Sequence, residues 1–134
     1  MGSSSTILGL GTDIVEIARL KQSLERSGQT FLEHVYAPEE IAAAPAREPR
    51  RSEYLAGRWA AKEALAKALG TGITEACRLS EICTCNDEDS GQPVLTLSGH
   101  ARQTADRLGV RRILVSIAHE RQYATATVLL LAAP

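Results

Sequence analysis

Two carboxylates and a small set of basic side chains carry the chemistry for which this chain can be read. In the run Arg58-Trp59-Ala60-Ala61-Lys62-Glu63-Ala64-Leu65-Ala66-Lys67, Arg58 and Lys62 stand four residues apart, and so do Glu63 and Lys67. On a helix each pair shares a face. Apolar residues hem these charges in: Tyr54, Ala61, Ala64, Leu65, Ala68 and Leu69 form one arc, and Leu55, Trp59 and Ala66 a second. Charges so placed need partners, and a cleft holding an anion or a metal would supply them. The plain alternative is an i,i+4 salt bridge between Glu63 and Lys67, which the helix taken alone favours. Asp13 also has two readings. With Glu16 three residues on it matches a capping box, whereas as a carboxylate at a strand-to-helix junction it could bind a metal ion.

The elements that must position these groups follow from pattern. Glu53 to Ile73 is dense in Ala, Leu, Lys and Glu and predicts a long helix stopped at Gly70. Thr6 to Gly11 reads as a strand, followed by a helix from about Asp13 to Arg26 that Gly28 ends. Phe31 to Tyr36 is a short helical turn, Pro38-Glu39-Glu40 opens another helix, and 42–51, with Pro45 and Pro49, is a surface loop. Leu79 to Cys85 and Pro93 to Leu97 form a hairpin around the acidic turn Asn86 to Gly91. A helix from Ala101 to Leu108 ends at Gly109. Arg111 to Ala118 is a strand, with Tyr123 to Leu131 as its antiparallel partner. The expected fold is α+β, a layer of antiparallel strands packed on helices, in one domain spanning 1–134.

Composition narrows the functional class. The 134 residues carry a net charge of −1, 44% hydrophobic and 23% charged, an ordinary globular balance that argues against nucleic-acid binding by bulk charge. Between Arg47 and Lys67, however, six basic residues face three acidic ones, a local surplus suited to an anionic ligand. Cys77, Cys83 and Cys85 lack zinc-site spacing and read as free thiols in a reducing cytosol, with Cys83 and Cys85 on one strand face. Neither a membrane span nor a signal peptide is expected. The acidic turn lacks the spaced ligands of a calcium loop. Gly9-Leu10-Gly11 is too short a signal for a phosphate loop.

Three blocks together resemble a known family. They are Gly9-Leu10-Gly11-Thr12-Asp13-Ile14-Val15-Glu16-Ile17, then Arg58 to Ala64 with Lys67 to Ile73, and Val115-Ser116-Ile117-Ala118-His119 followed by Tyr123-Ala124. In order and spacing they resemble the holo-acyl-carrier-protein synthases, the short bacterial class of 4′-phosphopantetheinyl transferases. The resemblance implies a magnesium-dependent transfer of the phosphopantetheine arm of coenzyme A onto a serine hydroxyl of an acyl carrier protein, leaving 3′,5′-ADP. It implies that Asp13 and Glu63 are the metal carboxylates. Lys67 matches a lysine that neutralises the transferring phosphate or its leaving group, and His119 a histidine that contacts phosphate. Arg58, Lys62 and Ser116 match cofactor-side positions, and Gly70, Thr71 and Gly72 a loop close to the cofactor. Arg19 and Lys21, on the first helix, would meet the acidic helix of the carrier.

The resemblance also implies a cytoplasmic homotrimer with the cofactor between protomers, and 128–131 is the expected interface strand. Val15 stands where larger relatives carry a third metal carboxylate, so water would complete the magnesium shell. His34 and Ala37 depart from the family's usual arginine and small hydroxyl residue, which bears on carrier contacts and on a helix cap. The general base stays open among Glu63, a metal-bound water and the carrier itself. A different class, a non-catalytic subunit that binds cofactor or carrier on the same fold, is the alternative, and the intact Asp13 and Glu63 pair argues against it.

Overall fold

Strand alternation, not helical periodicity, governs the first block. The computed structural model describes residues 6–132. Strand β1 runs Ile7–Glu16, and along it Leu8, Leu10, Thr12 and Ile14 are exposed while Gly9, Gly11, Asp13 and Val15 turn inward. The helix expected from Asp13 therefore begins only at Ile17, and Asp13 is no helix cap. Ile14 and Val15 are β-branched, and residues 12–16 are held in register against Thr127 to Tyr123, with Asp13 opposite Ala126. Within helix α1, Ile17–Val35, Gly28 leaves the helical conformation with φ 50° and ψ −123°, so a first helical stretch ends there as expected and a second carries the chain through Phe31 to Val35.

Helix α2 (Pro38–Ala43) and the long helix α3 (Arg50–Leu69) follow. Gly70 closes α3 in the left-handed conformation, φ 83°, as expected. Helix α3 is the centre of the molecule. Ala60, Ala61, Ala64, Leu65 and Ala66 are all fully buried. Its small residues let β1 come close, and β1 answers with glycines: a Cβ at Gly9 or Gly11 would run into the carbonyl oxygens of Ala68 and Ala64. Those two glycines therefore serve packing.

After α3 a short 3₁₀ turn occupies Leu79–Glu81, so the hairpin strand begins later than expected, as β2 (Ile82–Asn86) paired with β3 (Pro93–Leu97). Helix α4 (Gly99–Leu108) ends at Gly109, and β4 (Arg112–His119) and β5 (Tyr123–Leu131) complete the chain. The strands divide into two antiparallel sheets, β1-β5-β4 and β2-β3.

Strand β5 is the middle strand of the larger sheet, so of the expected interface stretch 128–131 only Leu129 and Leu131 lie on its outer face. Val128 and Leu130 are fully buried against the α3 side, and only the alternate residues face outward. That outer face carries uncovered apolar residues, with Leu10 63%, Ile14 62% and Leu114 39% exposed, on either side of a polar row of Thr12, Thr127 and Ser116. Among the described residues no helix is long and apolar enough to cross a membrane.

Candidate active site

The close approach of β1 to α3 brings together the two carboxylates that lie far apart in sequence. Asp13 and Glu63 line one cleft of about 410 Å³, whose walls include Arg19, Arg26, Phe31 and Trp59. Phe31 and Trp59 stack nearly parallel, 5.6 Å between centroids and 11° between planes, and Trp59 stands one turn before Glu63. Lys67 reaches back from α3 and donates to Asp13 Oδ1 at 3.0 Å and to the Thr12 carbonyl at 3.1 Å. The ion pair in the structure is thus Lys67 with Asp13, in place of the i,i+4 pair with Glu63.

Glu63 is left the less compensated of the two. Burial raises its carboxyl above the usual range and the neighbouring Asp13 raises it further, while Lys67 and Trp59 pull it down. Two carboxylates in one cleft, one of them destabilised when ionised, fit a hard divalent cation. Magnesium takes one or two carboxylates and fills its remaining positions with water and phosphate oxygens. Among the described residues no group of three His, Cys, Asp or Glu side chains is placed to hold a metal ion. Val15 packs against the core, so it adds nothing to the donor set.

The basic residues do not all gather in the carboxylate cleft. Arg58 and His119 line a second cleft of about 460 Å³, together with Arg50, Glu53, Tyr54 and Ile117. There the Arg58 guanidinium lies 4.0 Å over the Tyr54 ring and donates from Nη2 to Asn86 Oδ1 at 2.9 Å. Its Nε and the Tyr54 hydroxyl are buried without a partner. The reason for two clefts is angular: Arg58 and Glu63 are five residues apart, about 140° around a helix.

Lys62 is a correction. Its side chain is fully buried, and its ammonium donates to Glu40 Oε1 at 2.6 Å, to the Leu79 carbonyl at 3.0 Å and to the Ile82 carbonyl. No donor is left for a cofactor phosphate. Glu40, equally buried, also accepts the Ala37 N–H at 2.9 Å and the Thr84 N–H at 2.9 Å. The carboxylate thereby ties down the amide at the head of α2, where Ala37 offers no hydroxyl. Desolvation lowers the Lys62 pKa although Glu40 opposes the shift.

The remaining candidates are dispersed. Ser116 is exposed on the outer sheet face opposite Thr127, on the other side of β4 from Ile117. Gly70, Thr71 and Gly72 close the C-terminus of α3, where the Gly72 N–H donates to the Ala66 carbonyl. Arg19 lines the carboxylate cleft, whereas the exposed Lys21 is not part of its wall. His34 is exposed near the end of α1 and borders a shallow groove with Glu33 and Arg78. Gln22, Ser23 and Arg26 also line the carboxylate cleft. Sequence reading missed them, although with Arg19 they follow the 19, 22, 23, 26 spacing of one helix face.

Known proteins match the chain over nearly its whole length. A sequence profile of the 4′-phosphopantetheinyl transferase superfamily matches residues 9–128. A holo-[acyl-carrier-protein] synthase of Vibrio parahaemolyticus is 47% identical over 124 residues, which is 92% of this chain and 97% of that protein. The crystal structure of holo-[acyl-carrier-protein] synthase from Neisseria meningitidis superposes with a TM-score of 0.85 at 34% identity, covering 93% of this chain and 98% of that one. A holo-(acyl-carrier-protein) synthase from Bacillus anthracis, solved in complex with CoA (3′,5′-ADP), superposes with a TM-score of 0.79 at 34% identity, covering 95% and 98%.

Proposed function

The chain belongs to the 4′-phosphopantetheinyl transferase superfamily, and from that premise we propose how its two clefts divide the work. The reaction is that of a holo-[acyl-carrier-protein] synthase: the 4′-phosphopantetheine arm of coenzyme A passes to a serine hydroxyl of an apo acyl carrier protein. The serine hydroxyl gives up its proton to a base as its oxygen forms a bond to the phosphorus that carries the pantetheine. The bond from that phosphorus to the bridging oxygen breaks, and 3′,5′-ADP leaves with the electron pair.

The observation that carries the site assignment is the Asp13 and Glu63 pair in one cleft with Lys67 bonded to Asp13. Asp13 and Glu63 would hold magnesium, which when bound would screen the charge of the diphosphate. Lys67, whose side chain is 53% exposed, can turn its ammonium toward the leaving phosphate without desolvation. Arg19 and Arg26, on the opposite wall, face the side from which an acidic carrier helix would approach. Arg58 and His119 supply the basic end for the adenosine phosphates. Ser116 and the Gly70–Gly72 turn would lie on the cofactor side, and Lys62, its donors taken by Glu40, Leu79 and Ile82, takes no part.

These two clefts lie on different sides of α3, so one chain holds two half-sites. Three copies packed through the uncovered apolar face of the β1-β5-β4 sheet would bring the Arg58 and His119 cleft of one against the Asp13 and Glu63 cleft of the next. The domain works as a cytoplasmic trimer, and fatty-acid carriers are its first expected substrates. The test is the rate of apo-carrier modification against magnesium concentration. Asp13→Asn and Glu63→Gln should remain folded and lose on the order of a hundredfold in rate, with Asp13→Asn partly restored by excess magnesium. Near-normal rates in both folded variants would overturn the metal assignment.

A further inference from the structure

Two thiols outside both clefts form a pair that the transfer reaction does not use. Along β2, Ile82 and Thr84 are fully buried, and Cys83 and Cys85 alternate with them on the other, half-buried side. Their sulfurs are 3.5 Å apart. The hairpin holds this geometry, with Cys83 opposite Thr96 and Cys85 opposite Val94 in an antiparallel ladder. Cys77, the third cysteine, is fully buried.

A direct disulfide suits this pair poorly. Residues i and i+2 of a strand have Cα atoms about 6.6 Å apart, near the upper end, ~6.8 Å, of what a disulfide spans. A single thiophilic atom bonded to both sulfurs asks for no such compression, because it sits astride two sulfurs already in contact. We propose that Cys83 and Cys85 form a dithiol site for a trivalent organoarsenical of the R–As=O class. Each sulfur forms one bond to arsenic, the arsenic–oxygen bond breaks, and the two thiol protons leave with the oxygen as water. Arsenic stays trivalent and no electrons are exchanged.

Burial pushes the Cys83 thiol up to about 12, with Cys85 and Glu40 adding to the shift. The thiol is protonated at neutral pH, so chemistry that needs a single thiolate is slow there. A reagent gripping both sulfurs gains instead from the second bond being intramolecular, by on the order of a hundredfold or more.

The experiment is intact-mass titration of the full chain with phenylarsine oxide in excess glutathione, a monothiol competitor. One arsenical per chain should be retained, and 2,3-dimercaptopropanol should remove it. Cys83→Ser and Cys85→Ser should each weaken retention by on the order of a hundredfold, and Cys77→Ala should leave it unchanged. In the unsubstituted protein, peptide mapping after alkylation under denaturing conditions should find Cys83 and Cys85 protected together, a readout that needs no variant. Failure to retain the arsenical, retention in either serine variant at the parent level, or protection of Cys77 in their place would overturn the assignment.

Discussion

Replacing Lys62 with methionine distinguishes a lysine that binds cofactor from one that holds the fold together. Methionine keeps the length of the stem and removes the ammonium. Three acceptors then lose their donor: the Glu40 carboxylate and the carbonyls of Leu79 and Ile82. Breaking a buried ion pair by removing one partner costs about 3–5 kcal/mol, because the charge left behind stays out of water. Glu40 retains the N–H groups of Ala37 and Thr84, which hold part of its charge. The expected loss is therefore toward the lower end, about 3 kcal/mol, or about 10 °C in melting temperature for a domain of this size. The assay is thermal melting beside steady-state kinetics at a temperature where the variant is folded. Lys62→Met should melt far lower while its KM for coenzyme A stays near that of the parent. Adding Glu40→Gln removes the stranded charge, so the double variant should lose less than the sum of the two single losses. A Lys62→Met protein that melts normally and binds coenzyme A weakly would refute the reasoning and return Lys62 to the cofactor.

Three further outcomes follow from the carboxylate cleft. Glu63 has a folded pKa raised above 4.5, so the folded state holds its proton to higher pH than the unfolded state does; stability of the metal-free protein falls as pH rises from 4.5 through the raised value. Glu63→Gln should therefore melt at or above the parent at neutral pH without magnesium, the gap closing in acid, and a lower neutral melting point would contradict the strain assigned to Glu63. Arg19→Glu should raise KM for the carrier by on the order of tenfold and more than Lys21→Glu does, since only Arg19 lines the cleft; equal effects measured at low and high salt would count against this docking side. Mixing inactive Asp13→Asn with inactive His119→Ala should restore activity at about a quarter of the interfaces of a randomly reassembled ring, and no recovery after subunit exchange, verified by mass, would rule out sites shared between copies.

What could be read from the chain alone depended on how local each signal was. Helix α3, its Gly70 stop, the β2-β3 hairpin and the β4-β5 pair all appeared near their expected places, because caps, turns and apolar spacing act within a few residues. Asp13 misled for the opposite reason. Asp13 to Glu16 has the local signature of a cap, yet pairing with Thr127 to Tyr123, more than a hundred residues away, draws it into a strand. Lys62 was legible as a charge without room, but not its partner Glu40 on another helix. Gly9-Leu10-Gly11 was too weak a signal for a phosphate loop and had no other reading, and the task of its glycines is to let β1 meet the carbonyls of Ala64 and Ala68.

That last contact links the fold to the site. With β1 pressed against α3, the inward-facing Asp13 comes to the same cleft as Glu63, and Lys67 of the next turn can bond Asp13. A side chain at Gly11 would push the strand off the helix and separate the carboxylates before it touched any catalytic group. The same helix turns Arg58 to a different cleft, about 140° away around the axis, and no rearrangement of side chains within one chain closes that angle. On the proposed division of the site, a second copy would bring the missing half, and the apolar residues on the outer face of the sheet are where it would pack.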